Sequence, residues 1–135
     1  MTIVVDSSIA LAWFLPDENS PLALDVLMQV TESGALVPQH FQVEFGNALV
    51  IAARHKRIDR DYRRRTFERI SGLELTTDRA GSDRMWIDTV ELADEHGLTL
   101  YDGVYLELAL RTGLPLATLD KRLAKAALDV GRLRK

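Results

Sequence analysis

Short apolar runs alternate along this chain with longer stretches whose apolar positions recur every three or four residues. Residues 2–5 (TIVV) read as a strand, and SSIALAWFL after Asp6 reads as a short helix that Pro16 ends. A helix over about 20–32 follows, with Ser20 as its cap and Pro21 at the first helical position, where a missing N–H costs nothing. Gly34 ends it, and ALV (35–37) reads as a buried strand. From near Gln39, Phe41, Phe45, Ala48, Leu49 and Ala52 form one helical stripe. A basic helix over about 59–71 and a possible strand at LEL (73–75) come next. The pattern then predicts a helix over 82–96 with Trp86, Val90 and Ala93 on one side, stopped by Gly97. LTL (98–100) reads as extended, 103–112 as a helix apolar on most faces, LPLAT (114–118) as a strand, KRLAKAA after Asp120 as a helix, and VGRLRK as a frayed edge strand.

This alternation, with connections long enough for helical crossovers, predicts a parallel sheet covered by helices on both faces. Ligands of such sheets bind beyond the carboxyl ends of the strands. At 135 residues and 47% hydrophobic content the chain can build one core, so a single domain over 1–135 is expected. No apolar run approaches a membrane span and no basic, then apolar, leader opens the sequence, so a cytoplasmic protein with no membrane association is expected. The absence of cysteine excludes disulfides, thiol catalysis and thiolate zinc sites.

The net charge of −3 hides a segregated distribution. No Lys or Arg occurs before Arg54, whereas residues 54–69 hold eight and 121–135 hold six of the seventeen. Each run alone reads as a solvated helix face. Beside an acidic site, Arg54, Lys56, Arg57, Lys121 and Arg122 become candidate contacts for the phosphates of a nucleic acid.

Three apolar segments stop on an aspartate that opens a helix: IVVD at Asp6, LTLYD at Asp102 and LATLD at Asp120. Each taken singly is explained by helix capping, since Asp accepts a bond from an unpaired backbone N–H. Glu44 is different, because it lies on or beside the apolar stripe with no Lys or Arg in the first fifty-three residues to pair with it locally. Asn47, one turn on, is expected to orient it. If the four carboxylates converge, two of them about 4 Å apart repel by roughly 4 kcal/mol at an effective dielectric near 20. A divalent cation is the simplest compensation, and oxygen ligands favour Mg²⁺ or Mn²⁺ over zinc. Ser7, Ser8 and Thr118 are expected to support the carboxylates through their hydroxyls. His40, His55 and His96 have no paired ligand spacing and read as surface or helix-end residues.

DSS after the first strand, E..NAL in a later helix, LTLYDGVYLELA and LATLDKRLAKAA together resemble the PIN-domain nucleases, most closely the VapC-type toxins of toxin-antitoxin pairs. The resemblance spans nearly the whole chain. It implies a three-layer α/β/α fold with a central parallel sheet of four or five short strands. It also implies an Mg²⁺ or Mn²⁺ site at Asp6, Glu44, Asp102 and Asp120 that cleaves RNA to a 5′-phosphate and a 3′-hydroxyl. A cognate VapB-type antitoxin and a homodimer are the implied protein partners, with Trp13, Phe14 and Leu22 available for such contacts or for the core. The chain departs from the family at Lys121 and Arg122, where a further acidic residue is common, and at Gly103, where alanine is commoner. Two other readings share the fold: a housekeeping RNA-processing nuclease, and a silent module that binds RNA or a partner. A receiver or phosphatase-like domain is disfavoured, because no second Asp follows Asp6 within two residues.

Overall fold

The computed structural model describes residues 2–135. Its elements run β1 (Val4–Val5), α1 (Ser7–Phe14), α2 (Pro21–Ser33), β2 (Ala35–Val37), α3 (Phe41–Arg54), α4 (Arg60–Ser71), β3 (Leu75–Thr77), α5 (Val90–His96), α6 (Leu100–Thr112), β4 (Leu116–Ala117) and α7 (Lys121–Asp129). The four strands form one parallel sheet in the order β3-β2-β1-β4, with Val4 opposite both Leu36 and Leu116. Of the edge strand expected at the C-terminus only a bridge survives, Leu133 pairing in parallel with Leu116.

Alternation along β1 divides the core. Val4 packs with Leu106, Leu116, Leu123 and Ala127 beneath α6 and α7. Ile3 and Val5 pack on the other face with Ile9, Val26 and Val30 of α1 and α2. A third cluster joins Phe14, Val37, Phe41, Phe45 and Leu49, closing α1 and α3 over β2. Helices on both faces make this the three-layer α/β fold that the pattern predicts. Phe14 and Leu22 belong to this packing, and Trp13 also donates from Nε1 to the Ala23 carbonyl at 2.7 Å, so all three serve the core. No helix among the described residues is long and apolar enough to cross a membrane.

The strand expected at 73–75 and the helix expected over 82–96 are corrected. The third strand begins at Leu75, two residues late, because pairing of Ala35 with Leu75 and Val37 with Thr77 sets its register. The helix expected over 82–96 is instead a 3-10 turn (Gly81–Arg84), a π turn (Met85–Thr89) and α5. The wider i→i+5 turn rotates Trp86 off the buried stripe and leaves it 87% exposed, while Thr89 takes the inner position. Thr89 and Ala93 fit against Gly103, where an added Cβ would lie 3.3 Å from both the Thr89 carbonyl oxygen and the Ala93 Cβ. The glycine thus permits close approach of α5 to α6.

The far half of α6 is tied down by charge. Arg111 donates to the buried Glu107 at 2.9 Å and to Asp78 at 2.7 Å, and Asp78 in turn accepts from the Gly81 N–H. Burial works against ionisation of Asp78, but Arg111 more than offsets it and holds the carboxyl below its usual value. Removing Arg111 would leave Glu107 buried and unpaired. Arg111→Met should therefore cost about 3 kcal/mol in urea unfolding, and the double variant Arg111→Met/Glu107→Leu should recover more than half of it. A single-variant loss below about 0.5 kcal/mol would show that the cluster behaves as a surface pair.

Candidate active site

The order β3-β2-β1-β4 means that the chain leaves β1 towards one edge and returns to its other side as β4. The carboxyl ends of β1 and β4 thus flank the switch point where open α/β sheets bind ligands. Asp6 lies at one of these ends, and Thr118 and Asp120 at the other. Asp6 has extended backbone, its N–H continues the ladder to the Ala117 carbonyl, and its carboxylate caps α1 through the Ile9 N–H at 3.1 Å. It is only 5% exposed, and it accepts from the Ser8 hydroxyl at 2.6 Å and from the Thr118 hydroxyl. Ser8 accepts from the Leu119 N–H at 2.9 Å and Thr118 from the Asp120 N–H at 3.0 Å. Asp120 is exposed and caps α7 through the Leu123 N–H.

Asp102 does not open its helix. Thr99 takes the cap position, accepting from the Asp102 N–H at 3.2 Å, so LTL is a helix start rather than a strand and Asp102 sits inside the first turn. LTL finds no strand to pair with, and a threonine three residues ahead of an acidic residue makes a good cap. Asp102 is half-buried. Burial, and next the charge of Asp120, push its carboxyl above the ordinary value, with Thr99 and His40 acting the other way.

Glu44 lies in the first turn of α3 and is partly exposed. The expected support from Asn47 is not found: Asn47 is exposed, and the donor to Glu44 is the Tyr105 phenol, at 2.6 Å. Tyr105 is buried in α6 with the Ser7 hydroxyl facing it, and burial, then the bond to Glu44, hold its phenol far above the usual range. His40 is the other residue the sequence reading passed over. Its Nε2 lies 3.3 Å from Glu44 Oε1, misaligned for a hydrogen bond and buried with no other partner. Its ring lies 5.1 Å from that of Tyr105 and 6.1 Å from that of Tyr101. The i, i+4 spacing of His40 and Glu44 was the available signal, since such residues are neighbours on a helix.

The carboxylates therefore stand as two neighbouring pairs: Glu44 adds to the upward shift of Asp6, and Asp120 to that of Asp102. Among the described residues, no Lys or Arg forms an ion pair with any of the four. Nor do any three Asp, Glu or His side chains stand close enough, as they are, to ligate one ion together. The donors fit a hard divalent cation by their chemistry, being all oxygen, partly desolvated and uncompensated. Closing them into one coordination shell requires side-chain movement.

Of the candidate RNA contacts, Lys121 and Arg122 directly follow Asp120 and are exposed. Arg54 and Lys56 lie at the opposite end of α3, with Arg54 about 15 Å along the axis from Glu44 at 1.5 Å per residue. Arg57 is engaged by Asp17 at 2.7 Å.

The PIN domain family matches residues 3–128. The chain belongs to this family. It is 30% identical over 125 residues to Ribonuclease VapC3 of Pyrobaculum aerophilum, covering 93% of this chain and 94% of that protein. Among solved structures, PAE2754 from Pyrobaculum aerophilum superposes with a TM-score of 0.68 at 26% identity, over 93% of this PIN domain and 79% of that chain. A toxin-antitoxin complex from Klebsiella pneumoniae (TM-score 0.66, 18% identity, 100% and 97% covered) and FitAcB from Neisseria gonorrhoeae (0.65, 16%, 93% and 92%) share the fold.

Burial, with a smaller addition from Glu44, pushes the Asp6 carboxyl up to about 6 against the pull of its hydrogen bonds. An acid whose folded value is raised binds its proton more tightly when folded, so its contribution to stability is full below pH 4 and is lost as pH rises through 6. In EDTA, the stability of the wild-type PIN domain relative to Asp6→Asn should fall by about 3 kcal/mol between pH 4 and pH 7, at 1.36 kcal/mol per unit. Urea unfolding across that range checks it, and a constant difference would contradict the burial of an unpaired Asp6 charge.

Proposed function

We propose that this PIN domain is an endoribonuclease dependent on Mg²⁺ or Mn²⁺, acting as the toxin of a toxin-antitoxin pair. What supports the reading is two pairs of neighbouring carboxylates, Asp6 with Glu44 and Asp102 with Asp120, near the sheet's switch point with no Lys or Arg paired to them. A structural cluster would be neutralised from within the chain, whereas a site that takes up a cation has reason to keep its negative charge. The relative named a ribonuclease, matched along nearly its full length, supports RNA as substrate.

In this reading Asp6, Glu44, Asp102 and Asp120 hold the cation. Its chemistry in such a site is charge neutralisation at the phosphate and activation of a water for in-line attack. Ser8 and Thr118 hydrogen-bond the Asp6 carboxylate and Tyr105 that of Glu44, which keeps these ligands near the site while the shell closes. Lys121 and Arg122 offer the RNA backbone positive charge beside Asp120, with affinity that falls as salt rises. The cytoplasm as location, and a VapB-type antitoxin and a second copy of the chain as protein partners, belong to the same proposal.

Asp102→Asn should lower cleavage of total RNA in Mn²⁺ at least about 100-fold while shifting the melting temperature little, because Asp102 caps no helix. EDTA should abolish wild-type cleavage and Mn²⁺ should restore it. Cleavage by Asp102→Asn at the wild-type rate, or undiminished cleavage in EDTA, would overturn the metal-dependent reading. Growth arrest on induction, relieved by co-expression of a neighbouring gene, tests the toxin assignment. Unrestrained growth with the nuclease active would instead support an RNA-processing role.

A further inference from the structure

Helix α6 is buried at every position from Gly103 to Ala109, yet its first turn leaves Tyr101 66% exposed. The core does not require an aromatic ring at this position. Tyr101 is adjacent in sequence to Asp102, about 3.8 Å away between Cα atoms. It is also the outermost of three rings: Tyr101 lies against His40 at 6.1 Å, His40 against Tyr105 at 5.1 Å, and Tyr105 donates to Glu44. This column runs from a buried carboxylate partner to the solvent. The His40 ring is tilted 39° to that of Tyr101 and 54° to that of Tyr105, so the outer ring keeps most of its surface free for a stacking partner.

We infer that Tyr101 is a stacking platform for one unpaired base of the RNA, seating the nucleotide whose phosphate enters the carboxylate site. The inference rests on the ribonuclease reading and adds to it a substrate-contact residue beside the carboxylates. Sequence-specific and sequence-tolerant RNA recognition alike use splayed bases on aromatic rings, because every base presents a π face. The bases of an intact duplex remain stacked on one another and cannot use the platform, so paired RNA is a poor substrate. Because stacking on a ring is tolerant of base identity, Tyr101 contributes affinity and register, and the choice of sequence lies with other contacts.

The test compares wild type, Tyr101→Ala and Tyr101→Phe on a single-stranded RNA oligonucleotide carrying 2-aminopurine, whose fluorescence falls on stacking. In Mg²⁺, Tyr101→Ala should raise KM about tenfold with kcat within about twofold, and Tyr101→Phe should match wild type, since the ring rather than the hydroxyl does the work. In EDTA, binding to wild type and Tyr101→Phe should quench the probe, and binding to Tyr101→Ala should not. Unchanged KM and quenching in Tyr101→Ala, with cleavage intact, would overturn the platform and leave the nuclease reading standing. Failure of the wild type to bind or cleave any RNA would remove both. Intact RNA kinetics in Tyr101→Ala with weakened binding of the co-expressed neighbouring protein would also overturn it, and would assign the exposed ring to a protein contact.

Discussion

The fold and the site both depend on one buried carboxylate. Asp6 stands at the end of the central strand β1 with its charge withdrawn from water, and it is held there by the hydroxyl of Ser8 close by in the chain and by that of Thr118 from its far end. Through Ile9 it starts α1, and through Thr118 and Ser8 it fastens the turn after β4, where Asp120 starts α7. Three hydrogen bonds therefore converge on a group that burial disfavours as an anion. An apolar residue of similar size would satisfy the strand but neither the cap nor the two hydroxyls. The carboxylate carries an energetic cost that its cap does not explain; uptake of a cation, as proposed, would explain it.

The layout of the sheet explains why the other three carboxylates reach the same region. Leaving β1 towards β2 and returning as β4 on its far side places two strand ends side by side. Glu44 arrives from the helix after β2, and Asp102 from the helix before β4. The latter is positioned by packing: Gly103 lets α5 approach, and the Asp78–Arg111–Glu107 cluster pins the opposite end of α6. The two ionic regions differ in kind. One is neutralised within the chain and steadies a helix, whereas the other remains open and negative.

Much of this was legible in the sequence where a local rule and a tertiary role coincide. Asp6 and Asp120 are caps as well as strand-end carboxylates, and Ser20 with Pro21 marks a helix start by chemistry that needs no distant partner. The reading failed where a partner lay far along the chain. Tyr105 displaced Asn47 as the donor to Glu44 from 61 residues away. His40 was passed over because no second histidine stood at ligand spacing, although its own neighbour at i+4 was the glutamate already singled out. Trp86 was misplaced because a π turn changes the period on which the stripe was counted. At Asp102 two good caps competed, and Thr99 prevailed because nothing paired with the residues before it.

The central claim is that these carboxylates close on one cation, and a crystal structure of the Mn²⁺-soaked protein tests it most directly. The account predicts an anomalous peak within about 2.2 Å of oxygens from both Asp6 and Asp102, with Glu44 or Asp120 completing the shell directly or through water. It predicts no movement of the strand ends, only of side chains. A peak elsewhere on the molecule, or none between Asp6 and Asp102 at millimolar Mn²⁺, would contradict it.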